Sequence, residues 1–229
     1  MKALGLIGGM SAESTVIYYQ LLNRLVRKRL GGLHSASLVM ASLDFAPIAK
    51  MQADGAWDQA GEVLAAAART LEAAGAQAVL ICANTMHLVA GAVQGAVSIP
   101  LIHIADATAD ALTAAGARRP LLLATRFTME KAFYRDRLAA RGIEALVPEP
   151  ADRERLHAII YDELCVGLVS PKAKAAVLAM IGAAQGQGAD SVIFGCTEIG
   201  LLISQADLDL PAFDTTEIHA RAAVAFALD

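Results

Sequence analysis

Short, almost continuously apolar runs alternate with longer amphipathic stretches along the whole chain. Residues 3–7, 36–43, 78–81, 100–102, 121–124, 143–147, 191–194 and 211–213 read as strands. Most lack polar alternation, as strands covered by helices on both faces must. The intervening stretches read as helices, several of them closed by a glycine. Ser11 is placed to cap a helix that runs to Leu30 before Gly31-Gly32, and residues 57–74 stop at Gly75. Residues 104–115 stop at Gly116, residues 128–141 stop at Gly142, and Asp214 precedes a last helix over 215–228. Residues 156–168 form a further helical run. Alternation of this kind predicts an α/β protein with parallel sheets.

The pattern also repeats. Gly75-Ala-Gln-Ala-Val-Leu-Ile-Cys-Ala83 aligns with Gly188-Ala-Asp-Ser-Val-Ile-Phe-Gly-Cys196, and residues 4–11 align with 121–128. Each pair is a buried strand leading into a polar turn. Two such half-chains predict two pseudosymmetric lobes, each a parallel sheet flanked by helices, with their strand-end loops facing one cleft. The expected division is 1–98 plus 208–229 for the first lobe and 99–207 for the second, with the strand and helix after Pro211 returning to the first.

Composition narrows the classes. With 229 residues, 56% of them hydrophobic, the chain is too apolar for disorder and long enough to bury a core. Alanine, at 49 residues, suits tight helix–sheet packing. A net charge of −4 argues against a phosphate-tracking surface, so no nucleic acid partner is expected. The cluster Arg24, Arg27, Lys28 and Arg29 closes a helix, where cations offset the dipole. No apolar run is long enough to span a bilayer, and the start MKALGLIGGM lacks a secretory pattern. Three cysteines make no disulfide framework, which points to a cytoplasmic protein with reduced thiols.

Candidate chemistry lies in the turns. Ile7 and Met10 stand where a dinucleotide-binding G-x-G-x-x-G starting at Gly5 needs glycine, so no nucleotide is expected. Backbone N–H groups of the 8–11 turn, at a helix start, offer an anion site for a substrate carboxylate. Cys82, His87, Cys196 and His219 match no zinc-ligand spacing, so no metal is expected. Cys165, inside a helical run, reads as packing. Cys196 follows Gly195 at a strand end beside Thr197 and Glu198, where nearby N–H donors are expected to lower its pKa for base or nucleophile chemistry.

These residues resemble the aspartate/glutamate racemase family, in its amino-acid racemase branch. The matching segments are GLIGGMSAEST (5–15), Leu43-Asp-Phe45 with Gln52, CANTMH (82–87), HIADAT (103–108), ATRFTM (124–129), FGCTEIGLL (194–202) and FDTTEIHA (213–220). The resemblance implies a cofactor-independent racemase, commonly a homodimer, in which two cysteines exchange the α-proton of a small amino-acid substrate. One immobile group cannot easily remove a proton from one face and return it to the other. Cys196 and Cys82 are the catalytic candidates. The resemblance further implies that Gly9, Met10, Ser11, Gln52, Asn84, Thr85, Thr125, Thr128, Thr197 and Glu198 line the substrate. One departure stands out: the family's first cysteine directly precedes Asn-Thr, where this chain has Ala83. The internal repeat agrees, since Gly75 plus eight is Ala83 while Gly188 plus eight is Cys196. Strand alternation then points Cys82 away from the substrate. A one-thiol relative such as a decarboxylase, or an amino-acid-binding protein, are the alternative readings.

Overall fold

The computed structural model describes residues 1–229 and divides into two compact units. The first comprises Met1–Ile104 with His219–Asp229, the second Ala105–Ile218. In chain order the first holds β1 (Leu4–Gly8), α1 (Ala12–Leu30), β2 (Leu38–Ser42), α2 (Phe45–Asp54), α3 (Trp57–Ala73), β3 (Ala78–Ile81) and α4 (Ala90–Gly95). There follow α5 (Ile104–Ala115), β4 (Pro120–Leu123), α6 (Arg126–Glu130), α7 (Ala132–Ala139), α8 (Pro150–Ala158), α9 (Pro171–Gly186), β5 (Ser191–Phe194), α10 (Ile199–Leu202), β6 (Ala212–Asp214) and α11 (Thr215–Leu228).

Both sheets are wholly parallel, ordered β2-β1-β3 and β4-β5-β6. The strands expected at 100–102 and 143–147 shrink to single bridges, Val79 with Leu101 and Leu121 with Leu146. Pro100 has no N–H to extend the first of them. Adding these bridges gives each unit the same order of four, with β1 matching β4 and β3 matching β5. The sequence repeat is therefore a repeat of topology. Two assignments differ from the expected division: residues 99–104 belong to the first unit, and β6 stays with the second because it pairs with β5, the chain returning to the first only at His219 within α11.

In the first unit, alternation sorts side chains onto two faces. Ile7, Val79 and Ile81 join Leu64, Ala68 and Leu71 of α3. Leu4, Leu6, Ala78, Leu80 and Cys82 join Tyr18 and Leu22 of α1 and Ala220, Ala223 and Val224 of α11. Burying a Leu or Ile of this kind contributes roughly 1.5–3 kcal/mol. The N-cap of α1 is Ser11, whose Oγ accepts from the Ser14 N–H at 3.2 Å. The helical stretches expected at 128–141 and 156–168 are each interrupted. Lys131 is extended between α6 and α7, and after α8 the chain makes a π-turn over Ile159–Glu163 and a 3₁₀ turn over Leu164–Val166. No helix is long and apolar enough to cross a membrane.

His219 fastens α11 to the first unit. Fully buried, it donates through Nε2 to the Ile102 carbonyl at 2.7 Å and accepts the Tyr18 hydroxyl at Nδ1, 2.8 Å away. Burial lowers its pKa from 6.5 to about 4. A histidine with a depressed native pKa gives stability that is complete above the unfolded value and is lost as pH falls towards the folded one. His219 is therefore expected to weaken folding between pH 6.5 and 4, by up to on the order of 3 kcal/mol. Urea titrations across that range check this, and His219→Gln should flatten the dependence.

Candidate active site

Two loops and helix α2 of the first unit carry its predicted residues. At the end of β1, Gly9 has φ +87°, and a Cβ there would lie 2.1 Å from the Leu43 carbonyl oxygen. Only glycine fits such a turn. Gly9→Ala is expected to displace the Gly8–Leu43 hydrogen bond (3.0 Å) and cost about 1–3 kcal/mol, readable as a lowered urea midpoint. The 9–15 turn is already tied internally. Gly9 N–H donates to Thr15 Oγ1 at 2.8 Å, and that hydroxyl donates to the Ser11 carbonyl at 2.8 Å. With Ser14 N–H held by Ser11, the anion site expected of this helix start has lost two donors to the turn itself. Met10 is buried in the same apolar cluster as Met86 and Ile48. Gln52, buried on α2, donates through Nε2 to Met86 Sδ at 3.0 Å, joining α2 to the loop after β3. In that loop Asn84 and Thr85 are both buried, and a 3₁₀ turn runs over Thr85–Val89.

Cys82 and Ala83 part company here. Cys82, 1% exposed, packs among the β1, α1 and α11 side chains, whereas Ala83 lies against the opposite cluster. Burial pushes the Cys82 thiol well above its usual range. Cys82 is thus a core residue in this structure, packed on the face opposite Ala83. Strand alternation continuing past Ile81 is the physical reason.

In the second unit, Gly195 N–H donates to the Leu123 carbonyl at 2.7 Å, which sets the ends of β4 and β5 side by side. A Cβ on Gly195 would sit 2.9 Å from that of Ala124, so the approach needs glycine. After β4, Thr125 caps α6 by accepting from Thr128 N–H at 3.4 Å, with the two hydroxyls 3.3 Å apart. After β5 comes Cys196, whose thiol donates to Glu198 Oε2 at 2.9 Å; Glu198 is only 5% exposed. Thr197 accepts the Thr216 hydroxyl at 3.4 Å, and Thr215 donates to the Phe194 carbonyl at 2.8 Å, so the start of α11 braces this turn.

The electrostatics reverse one expectation. Burial first, then the Glu198 charge and its hydrogen bond, raise the Cys196 pKa well above the ordinary thiol value. Cys196 is a protonated thiol at rest, not a thiolate. Two neighbours were not legible beforehand. Burial raises the pKa of Tyr161, on the π-turn, and Cys196, Cys165 and Glu198 add to the rise. The His157 ring lies tilted against that of Tyr161, with centroids 4.6 Å apart, and accepts the Arg126 N–H at 3.4 Å, linking the π-turn to the start of α6. Aromatics at helical spacing read as core in a sequence, and nothing local announces a π-turn. Cys165, on the 3₁₀ turn, is partly exposed and close enough to Cys196 to add to its raised pKa. No group of three His, Cys, Asp or Glu side chains is arranged to hold a metal ion.

The family model for Asp/Glu/Hydantoin racemase matches residues 7–223. A candidate Asp/Glu racemase from Yersinia pestis is 48% identical with a TM-score of 0.94, each chain covering 100% of the other. An aspartate racemase homologue from Pyrococcus horikoshii OT3 is 35% identical with a TM-score of 0.87, again over 100% of both chains. The aspartate racemase of Picrophilus torridus, at 21% identity and a TM-score of 0.79 over 99% of this chain and 94% of that one, shares the fold. With its two parallel sheets and a family match across most of its length, the chain belongs to the Asp/Glu/Hydantoin racemase family.

Proposed function

We propose that this chain racemises an acidic or small polar amino acid without a cofactor, using the Cys196 thiol as acid and base at the α-carbon. The observation that carries the reading is the hydrogen bond from Cys196, on the turn after β5, to the buried Glu198. A thiol so held delivers a proton as it stands. To accept one, it first passes its own proton to the Glu198 carboxylate, and the resulting thiolate then takes the α-proton. The electron pair left on the α-carbon delocalises into the substrate carboxylate, and a proton added to the opposite face completes inversion. Asn84 and Thr85 are suited to the α-carboxylate, and Thr197, Thr125 and Thr128 are candidate donors of the second unit. The aspartate racemase homologue among the relatives supports an acidic side chain.

With Cys82 in the core, the second proton transfer falls to a hydroxyl or a water. The test is isotope exchange in D₂O on each enantiomer of aspartate and glutamate, read by mass and chiral chromatography. The enantiomer that presents its α-hydrogen to Cys196 should exchange faster than it racemises, and its mirror image should exchange slowly. Equal exchange of both enantiomers would overturn the single-thiol mechanism, and exchange of neither would overturn the racemase reading. Cys82's placement also favours a second reading, a one-thiol decarboxylase, which CO₂ release from a malonate-type acid would reveal.

A further inference from the structure

A cluster of buried aromatic and imidazole rings lies behind the Asn84–Thr85 turn, and the chemistry above makes no use of it. His87, His103 and His219 are 2%, 7% and 0% exposed. The His87 ring stands 4.6 Å from that of His103 and 5.7 Å from that of His219. His87 Nδ1 lies 2.9 Å from the Ala83 carbonyl oxygen and its Nε2 lies 3.3 Å from the Ile104 N–H nitrogen. His219 Nε2 meets the Ile102 carbonyl and its Nδ1 meets the Tyr18 hydroxyl.

Partner chemistry decides both tautomers. A carbonyl only accepts and an amide N–H only donates. His87 therefore carries its proton on Nδ1 and keeps a lone pair at Nε2, while His219 carries its proton on Nε2. Burial, with the neighbouring imidazoles, lowers the His87 pKa well below its usual value and keeps it neutral. Protonation would set an Nε2–H against the Ile104 N–H, two donors with nothing to accept. His219 is more forgiving, since the Tyr18 hydroxyl can turn from donor to acceptor.

The bonds fall at particular points of the chain. The backbone leaves the first unit after Ile104 and re-enters it at His219. Three consecutive residues at the exit are gripped: the Ile102 carbonyl by His219, the His103 ring by His87, and the Ile104 N–H by His87. That N–H belongs to the first turn of α5, where helices leave donors without intrahelical partners. The other nitrogen of the same rigid ring holds Ala83, the residue immediately before Asn84-Thr85.

The geometry points to His87 as a positioning residue: a neutral imidazole clasp that sets the Asn84–Thr85 turn against the exit segment, with His219 and Tyr18 holding the point of return. Its role in substrate binding rests on the reading of that turn as a carboxylate site.

Long-range ¹H–¹⁵N correlation of the imidazoles, assigned with single-histidine variants, tests the clasp without any activity. His87 should show the neutral Nδ1–H form and His219 the neutral Nε2–H form, unchanged from about pH 6 to 9. The opposite tautomer at His87, or titration of His87 near pH 6.5, overturns the proposal. His87→Leu should speed hydrogen exchange at the Ile104 amide by about 100-fold, and His87→Gln, which keeps a donor and an acceptor, by less than about tenfold. An Ile104 amide indifferent to both changes also overturns it, and the wild-type spectra decide if the leucine variant does not fold. In an active enzyme, His87→Leu should raise KM about tenfold with kcat altered less than about threefold, and His87→Gln should restore most of the KM. A lower kcat at unchanged KM, the mark of a merely structural role, overturns the positioning claim. If the wild type exchanges no α-proton, the racemase reading fails while the tautomers and the Ile104 amide still decide the clasp.

Discussion

Replacing Cys196 with alanine is expected to abolish α-proton exchange and racemisation together, with a loss of at least about 10²–10⁴-fold, the usual scale of a positioned acid/base. In the proposed mechanism the sulfur is the acid/base group, and its 2.9 Å bond to Glu198 fixes it on the β5 turn. Folding should be nearly unaffected, because Cys196 is only partly buried and packs at a loop. Cys82→Ser should behave in the opposite way. A hydroxyl placed among Leu4, Leu80 and Ala220 costs about 1–3 kcal/mol of stability, while kcat stays near wild type. Stopped-time exchange assays alongside urea titrations separate the two. A Cys82→Ser enzyme that is stable but dead, or a Cys196→Ala enzyme that still exchanges, would transfer the thiol role to the first unit.

The contrast between these cysteines was legible before the fold was known, because the strand period is two. Counting from Gly75 and from Gly188 makes Ala83, not Cys82, the repeat equivalent of Cys196, and the structure continues that alternation, with Cys82 on the α1–α11 face. The Ser11 cap and the span of α5 were equally readable, since each depends on residues within one turn. What could not be read depends on partners distant in sequence. β6 belongs to the second sheet only because β5 is there to pair with it. Lys131 breaks a helix with no glycine or proline to signal it. The π-turn that brings Tyr161 towards Cys196 has no pattern of its own. Glu198 was visible two residues from Cys196, but the reversal of its carboxylate onto the sulfur was not, and that reversal changes the sign of the pKa shift.

Glu198→Gln tests that sign directly, because it should move thiol reactivity and catalysis in opposite directions. The amide keeps the size of the side chain and removes its charge. Without that charge the thiolate of Cys196 is no longer opposed by a carboxylate 2.9 Å away, so the thiol should ionise at lower pH. Burial remains the larger cause of the raised value, so the fall is partial. A fall of one pKa unit gives about tenfold more thiolate at any pH below the pKa, and alkylation by iodoacetamide near pH 8 should quicken by about that factor. Turnover should nonetheless drop about 10²-fold or more, because the amide cannot take the proton that Cys196 sheds in the proposed mechanism before it removes one from substrate. The alkaline limb of the kcat/KM profile should shift to lower pH in the variant, tracking the thiol. Parallel measurements of alkylation rate and α-proton exchange over about pH 6–10 give both readouts from one preparation. Slower alkylation in the variant would mean that Glu198 activates the thiol, and unchanged exchange would mean that the carboxylate only caps the turn.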